Sequence, residues 1–188
     1  RCMNTLILVE PEIPENTGFI ARLCENFEFD LRIVNPEFNL EEARKTASNA
    51  QQKIRDVRIY EETSDAVEDL DFVVGTKPGK GTSLQSFEPK SNTSIMVGRE
   101  SSGLTNEELE LCDATVHIQT GSYDSLNQSH AASILMHRFF IESKEKGMNQ
   151  DQIEVLDSFI QQPKLKELVL RSNPSEEELE HLIGQLKD

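Results

Sequence analysis

Three polar segments of the chain follow apolar runs and carry residues suited to ligand chemistry. The first has the spacing Asn-x-Gly-x-x-x-Arg, with Asn16, Gly18 and Arg22, and Asn16 is expected to cap a helix. A guanidinium presents a planar fork of N–H donors that matches the oxygens of a phosphate. Arg22 is therefore either a phosphate ligand or a solvated residue on a helix surface.

The second segment combines glycine with a carboxylate. Gly98 and Glu100 lie in a turn rich in glycine and serine, directly after an apolar run. Gly98 would let the backbone approach a ligand closely, and Glu100 could bind hydroxyl groups or backbone amides. The alternative is ordinary turn chemistry, in which Thr105 caps a short helix that carries Glu107 and Glu108 in its first turn.

The third segment contains Ser125, Asn127 and Ser129 at the expected start of a long helix. Hydroxyl and amide groups at a helix start can cradle a polar ligand. Simple capping of the helix is the alternative explanation.

Metal, disulfide and phosphate-loop chemistry find no support in the sequence. The cysteines are odd in number and at no metal-like spacing, and Cys24 is expected to be a small core residue on a helix. The histidines form no cluster, so no metal site is predicted. Residues 79–82 lack the glycine spacing of a P-loop, and no Gly-x-Gly-x-x-Gly pattern is present.

Short apolar runs alternate along the chain with patterns of helical period. Strands are predicted at residues 6–9, 31–34, 57–60, 72–75, 94–98 and 115–118. Helices are predicted from Asn16 to about residue 27, at 40–54, from residue 63, at 106–111 and at 126–144. This order predicts an α/β fold: a parallel six-stranded sheet with helices on both faces, and ligands at the carboxyl ends of the strands.

The composition changes near Gly147. Residues 151–160, 164–170 and 175–186 have helical patterns and no strand pattern. We therefore predict an α/β domain over residues 3–146 and a small helical extension over 147–188, which either supports packing and dimer formation or contacts a partner. No apolar run is long enough to cross a membrane, and a cytoplasmic protein is expected.

The net charge of −15, from 34 acidic and 19 basic residues, is the wrong sign for a nucleic-acid partner. Two explanations would reconcile it with such a partner. The basic residues could be concentrated at one site, or the acidic surface could be an adaptation to high salt, which screens surface repulsion.

In this order, the three segments resemble the motifs of the SpoU/TrmH family of the SPOUT methyltransferase superfamily, and the resemblance spans residues 4–140. The matching patterns are Asn16-x-Gly18-x-x-x-Arg22, Gly98-x-Glu100-x-x-Gly103-Leu104 and Ser125-Leu126-Asn127-x-Ser129-x-Ala131. The resemblance implies a trefoil knot near the carboxyl end of the α/β domain and a homodimer with its active site near the subunit interface. It also implies transfer of a methyl group from S-adenosylmethionine to a ribose 2′-hydroxyl of RNA.

The residues of each ligand site follow from the same resemblance. Residues expected to bind S-adenosylmethionine are Thr76, Lys77, Pro78, Gly98, Ile118, Ser125, Leu126 and Asn127. Residues expected to contact the RNA are Asn16, Arg22, Lys80 and Tyr123. Catalytic roles are expected for Arg22, Ser125, Glu100 and Asn127.

The expected mechanism begins with Arg22, which contacts the target phosphate and polarises or deprotonates the hydroxyl. Arginine is almost always protonated, so a true base role needs an unusual environment, and Ser125 is the alternative proton relay. Glu100 and Asn127 are expected to hold the loops and orient ligands, and Tyr123 to stack on a base or sugar. No metal is needed, because the sulfonium methyl is already activated.

The loop 122–127 and the helical tail are similar to those of a family subgroup that methylates nucleotide 32 of the tRNA anticodon loop. The same chemistry at another tRNA position or on ribosomal RNA stays open. A third alternative is a non-catalytic RNA-binding protein with the same fold, against which the presence of Arg22, Glu100 and Asn127 argues.

Two positions depart from the family pattern. Lys80 stands in a stretch where relatives often carry arginine, and a lysine lacks the guanidinium fork. Gln119 stands where proline is common. These departures bear on substrate affinity and specificity more than on the class of reaction.

Overall fold

The computed structural model describes residues 4–90 and 92–146, and the described residues up to Phe140 belong to one compact unit. The predicted extension over residues 147–188, with its three helices, lies outside the described residues. Its existence as a separate domain stays a prediction, as does the trefoil knot.

The described strands form a single seven-stranded sheet in which every pair is parallel. The strands are β1 (Thr5–Val9), β2 (Asp30–Val34), β3 (Arg58–Tyr60), β4 (Phe72–Thr76), β5 (Thr82–Ser83), β6 (Thr93–Val97) and β7 (Ala114–His117). Their order across the sheet is β3-β2-β1-β6-β4-β7-β5. The predicted number of six is therefore wrong by one strand. The two-residue β5 has no apolar pattern of its own and forms only because it pairs with β7 at the sheet edge.

The helices are α1 (Pro14–Asn26), α2 (Leu40–Ala47), α3 (Gln51–Arg55), α4 (Thr63–Val67), α5 (Asn106–Glu110) and α6 (Gln128–Lys146). The single helix predicted over residues 40–54 is wrong, because a 3-10 turn over Ser48–Ala50 separates α2 from α3. Ser48 adopts a φ of 52°, a left-handed conformation that an α-helix does not accommodate.

Helices cover both faces of the sheet, as predicted. Leu6 and Leu8 of β1 point into a core that also contains residues of α1, α3 and α6, including the fully buried Cys24. Ile7 and Val9 of the same strand point to the opposite core, beneath α4 and α5. This alternation follows from the two-residue period of a strand and explains why β1 is apolar throughout.

The parallel arrangement brings the loops that follow β1, β4, β6 and β7 to the same edge of the sheet. The strand order turns around β1, which pairs with β2 on one side and with β6 on the other. Open parallel sheets bind ligands at such points, outside the carboxyl ends of their strands.

Candidate active site

A cavity of about 330 Å³ lies at this edge of the sheet. Its wall consists of the loops that follow β4, β6 and β7, together with residues of the first turns of α6. The volume is in the range of pockets that bind small molecules and cofactors.

The loop after β6 folds back on itself so tightly that only glycine fits at its start. A Cβ on Gly98 would lie 2.3 Å from both the Gly103 carbonyl carbon and the Leu104 nitrogen. The requirement for glycine therefore comes from the loop's own backbone and not only from a ligand. The Gly98 carbonyl accepts a hydrogen bond of 2.9 Å from the buried amide of Gln128, which ties this loop to α6.

Glu100 joins the second motif to the first. Its carboxylate accepts hydrogen bonds from the backbone nitrogens of Glu12, at 2.8 Å, and Ile13, at 3.3 Å, and from Nδ2 of Asn16, at 3.1 Å. These three donors carry no formal charge. The contacts hold the start of α1 against the loop after β6. None of the three donors neutralises the charge of the carboxylate.

Asn127 joins the third motif to the first and caps α6. Its Nδ2 donates to Oδ1 of Asn16 over 3.1 Å. Its Oδ1 accepts from the backbone nitrogen of Ser129, at 2.9 Å, and from the Ser129 hydroxyl, at 2.7 Å. Asn127 therefore caps α6, as the alternative explanation for this segment predicted, and Ser129 bonds to the cap.

Asn16 does not cap α1, contrary to prediction. The cap residue is Ile13, and Pro14 occupies the first turn, where its missing N–H costs no hydrogen bond. Asn16 is the third residue of α1, is only 5% exposed and bonds to Glu100 and Asn127. This geometry gives Asn16 a structural role, and its predicted contact with RNA stays a prediction.

Arg99, next to Glu100 in the second motif, forms an ion-pair network of its own. Its Nε donates to Glu10 over 2.6 Å, and its Nη1 and Nη2 donate to the two carboxylate oxygens of Glu108 over 3.1 and 2.9 Å. Glu108 also completes a capping box with Thr105 at the start of α5. The network thus connects the ends of β1 and β6 to α5.

These contacts favour the charged form of both Glu108 and Arg99. Burial raises the pKa of Glu108. The hydrogen bonds with Arg99 and Thr105 together outweigh this effect, so the pKa lies below its usual value. The hydrogen bonds that Arg99 donates to Glu108 and to Glu10 raise the pKa of Arg99 itself. The pair is therefore charged throughout the neutral range.

Two lysines flank the cavity in different ways. Lys77 lines it, and its Nζ donates to the Leu104 carbonyl over 2.8 Å. Lys80 does not line it, and its Nζ donates to the Asn106 side chain over 3.2 Å. Only the first lysine can thus contribute its charge directly at the cavity wall.

Most of the residues predicted to bind the methyl donor lie together. Those that line the cavity are Thr76, Lys77, Pro78, Gly98, Ile118, Ser125 and Leu126. Asn127 does not line it, because its side chain turns toward Asn16 and the start of α6. The seven residues thus share one cavity, and their roles in donor binding stay a prediction.

The residues predicted to contact RNA do not line this cavity. Arg22 is exposed on α1, and none of the described side chains pairs with it. Tyr123 is 78% exposed. Of the four residues predicted to be catalytic, Ser125 and Glu100 line the cavity, whereas Arg22 and Asn127 do not.

Sequence reasoning missed several residues of the cavity wall, which include Arg99, Ser101, Asp124 and Gln128. Arg99 and Asp124 are adjacent to motif residues, so their position next to Glu100 and Ser125 was an available signal. Nothing local identified Gln128 as a partner of the Gly98 carbonyl, 30 residues away.

Metal binding and membrane insertion find no support in the described part of the chain. Residues 4–90 and 92–146 contain no group of three or more His, Cys, Asp or Glu that could hold a metal ion. Within the same ranges, no helix combines the length and apolarity required to cross a membrane.

Comparison with known proteins gives consistent similarities. Residues 3–137 match the SpoU rRNA Methylase family. The chain is 34% identical over 155 residues to the tRNA (cytidine-2′-O-)-methyltransferase TrmJ of Methanocaldococcus jannaschii, an alignment that covers 73% of this chain and 67% of that protein.

Two solved structures share the fold. A structure described as giving insights into the 2-OH methylation of C/U34 on tRNA has a TM-score of 0.70 at 24% identity and covers 76% of this chain and 97% of its own. The SpoU methyltransferase AviRb of Streptomyces viridochromogenes, in complex with the cofactor AdoMet, has a TM-score of 0.66 at 20% identity, with 74% and 57% of the two chains covered.

Proposed function

The chain belongs to the SpoU methylase family, and from that premise we propose that it is a 2′-O-methyltransferase that acts on tRNA with S-adenosylmethionine as methyl donor. The observation that carries the proposal is the convergence of the loops after β4, β6 and β7 on one cavity lined by seven residues of the expected donor site. The similarity to TrmJ supports tRNA as the substrate class.

The cavity suits the donor in size and in chemistry. Its volume of about 330 Å³ accommodates a ligand of nucleoside size. Ile118 and Leu126 would contact apolar parts of the donor, and Thr76 and Ser125 offer hydroxyl groups for its polar atoms. When bound, S-adenosylmethionine supplies a methyl group that is already activated for transfer.

The chain's own contribution is mainly alignment. The hydrogen bonds from Asn16 to Glu100 and from Asn127 to Asn16 hold the loops after β6 and β7 in fixed positions relative to α1. A wall held in this way would orient a bound donor and the ribose hydroxyl relative to each other. Ser125 lines the cavity and carries the hydroxyl of the predicted catalytic set, so it would serve as the proton relay.

We further propose that Arg22 acts in a homodimer, on the cavity of the other copy. Arg22 does not line the cavity of its own chain and lies on the exposed face of α1 together with Phe19, which is 43% exposed. In this position its guanidinium would hold the target phosphate and polarise the 2′-hydroxyl.

The first test replaces Arg22 by alanine. Arg22→Ala should reduce methyl transfer by about 100-fold or more, because a polarising donor is lost, and should leave the calorimetric affinity for S-adenosylmethionine unchanged. Arg55→Ala is the matched control, since Arg55 is also an exposed helical arginine outside the cavity. Turnover of Arg22→Ala within a few fold of wild type would contradict the assigned role.

A second measurement separates action within one chain from action across a dimer. Ser125→Trp should block the cavity but keep Arg22. If Arg22 acts on the other copy, a mixture of Arg22→Ala and Ser125→Trp should regain roughly a quarter of wild-type activity. The activity would come from mixed dimers, each with one intact site. Mixed samples that stay inactive would indicate that Arg22 serves its own chain.

Nucleotide 32 of the anticodon loop is our proposed target, with the wobble position and ribosomal RNA as alternatives. One protein of the same fold is described as methylating C/U34 on tRNA, so this fold does not by itself specify which nucleotide is methylated. Mapping of 2′-O-methyl groups in tRNA from a deletion strain should show loss at position 32 alone. Loss at another position would redirect the target but keep the reaction.

A further inference from the structure

We propose that Asp124 makes the cavity selective for a cationic ligand, so that the protein binds the methyl donor more tightly than the demethylated product. The inference rests on the proposed function, because it concerns the ligand of the same cavity. It assigns to Asp124, which lines the cavity but belongs to none of the three motifs, a role in ligand specificity.

Four charged side chains line the cavity: Lys77, Arg99, Glu100 and Asp124. The Arg99 charge is already shared between the carboxylates of Glu10 and Glu108. Among these lining residues and their ion-pair partners, two cations therefore face four carboxylates, and the surplus is negative.

The two lining carboxylates differ in freedom. Both Glu100 oxygens accept hydrogen bonds from the start of α1, which hold that side chain in place. Asp124 is exposed, and no side chain or backbone group in the described ranges donates a hydrogen bond to it. Asp124 is thus the lining carboxylate that is free to approach a positive charge on a ligand.

Methyl transfer changes the charge of the ligand by one unit. The bond from sulfur to the methyl carbon breaks, a bond from the ribose oxygen to that carbon forms, and the hydroxyl proton leaves to solvent. Sulfur keeps the electron pair, so the sulfonium cation becomes a neutral thioether. A carboxylate in the cavity attracts the ligand before transfer and no longer attracts its sulfur afterwards, which favours release of the product.

The size of the effect follows from Coulomb's law. Two unit charges about 4 Å apart in water attract by about 1 kcal/mol, which is about fivefold in affinity, and a partly enclosed cavity strengthens the attraction. Asp124 is exposed, so we expect a difference near this lower value.

The experiment compares three ligands by titration calorimetry on the full chain. S-adenosylmethionine and sinefungin, whose amine replaces the sulfonium, are cationic at this position, and S-adenosylhomocysteine is neutral there. Asp124→Asn should weaken binding of the two cationic ligands about fivefold and change that of the neutral ligand by less than about twofold. Asp124→Glu should keep the wild-type preference.

Asp65→Asn is the matched control, since Asp65 is an exposed acid on α4 that does not line the cavity. If Asp124→Asn folds poorly, a salt titration of the wild-type protein tests the same point, because salt should reduce its preference for cationic ligands.

Three results would overturn the inference. An unchanged preference in Asp124→Asn removes the selectivity role and leaves the proposed function intact. Equal loss of all three ligands shows that Asp124 shapes the loop and does not read charge. Wild-type protein that binds none of the ligands refutes the proposed function, and the inference with it.

Discussion

Asn16, Glu100 and Asn127 form one hydrogen-bonded series that connects the three motifs. Each side chain contacts another motif residue, and Asn16 is buried between the other two. Their residue types are therefore explained by the architecture of the loops before any ligand is considered. Substrate chemistry is left to exposed groups such as Arg22 and to the residues that line the cavity.

The ion pair between Arg99 and Glu108 gives a prediction at the scale of single residues. Glu108→Gln should lower the free energy of unfolding at neutral pH by about 2 kcal/mol, because a hydrogen-bonded charge pair is lost. Glutamine can still complete the capping box, so the change isolates the charge. Chemical denaturation of both proteins measures the difference.

The effect of Glu108 should depend on pH in a defined direction. The pKa of Glu108 in the folded protein lies below its usual value of 4.5. Its charge therefore stabilises the fold above that value, and this contribution is lost as the pH falls through the folded pKa. The gap between wild type and Glu108→Gln should narrow from neutral pH to about pH 3.

Glu110→Gln is the control for this series, because Glu110 lies on the same helix and is exposed. It should change stability by less than about 0.5 kcal/mol at any pH in the series. A gap for Glu108→Gln that stays constant with pH would show that its effect is not electrostatic.

At the scale of elements, the contact between α1 and α2 depends on Gly18. A Cβ at this position would lie 1.9 Å from Oγ1 of Thr46 and 2.4 Å from the Ala43 carbonyl oxygen. The glycine of the first motif thus allows α1 and α2 to pack closely against each other. This packing also fixes Asn16, two residues earlier, against Glu100.

Gly18→Ala should therefore destabilise the protein by about 1 to 3 kcal/mol, as overpacking does, despite the higher helix propensity of alanine. Thermal denaturation measures the loss, and weaker donor binding should accompany it because α1 carries Asn16. Gly121→Ala is the matched control, since a Cβ there would meet nothing within 4 Å. Equal melting temperatures for the two variants would show that α1 and α2 separate without cost.

At the scale of the whole molecule, the net charge of −15 predicts a dependence of stability on salt. Exposed acids without a cationic partner in the described structure include Glu61, Glu62 and Glu68, around α4. Repulsion among such charges weakens as the Debye length shortens from about 14 Å at about 0.05 M salt to about 3 Å at about 1 M. The melting temperature followed by circular dichroism should rise over this range.

The combined variant Glu61→Gln, Glu62→Gln, Glu68→Gln should melt higher than wild type at low salt and respond less to added salt. This control separates charge screening from general effects of salt on water. Full folding and unchanged stability of the wild-type protein at low salt would contradict an adaptation to high salt. The other explanation for RNA binding by an acidic protein, basic residues concentrated at one site, would then be favoured.

The amino-acid sequence by itself determined the elements and the family. Strands such as β1 and β6 and helices such as α1 and α6 were predicted near their observed positions, because apolar period and capping act over a few residues. The three motifs predicted the family that the comparison confirms. The break at Ser48 and the two-residue β5 were missed, because both depend on packing and pairing and not on local period.

Only the tertiary structure decided how these residues meet. It set the strand order, the contact between Asn16 and Asn127 across 111 positions, and the network from Arg99 to Glu10 and Glu108. It also separated Arg22 from the cavity of its own chain. The physical reason is that local patterns specify where a strand or helix forms, whereas the neighbours of each strand follow from the packing of the whole sheet.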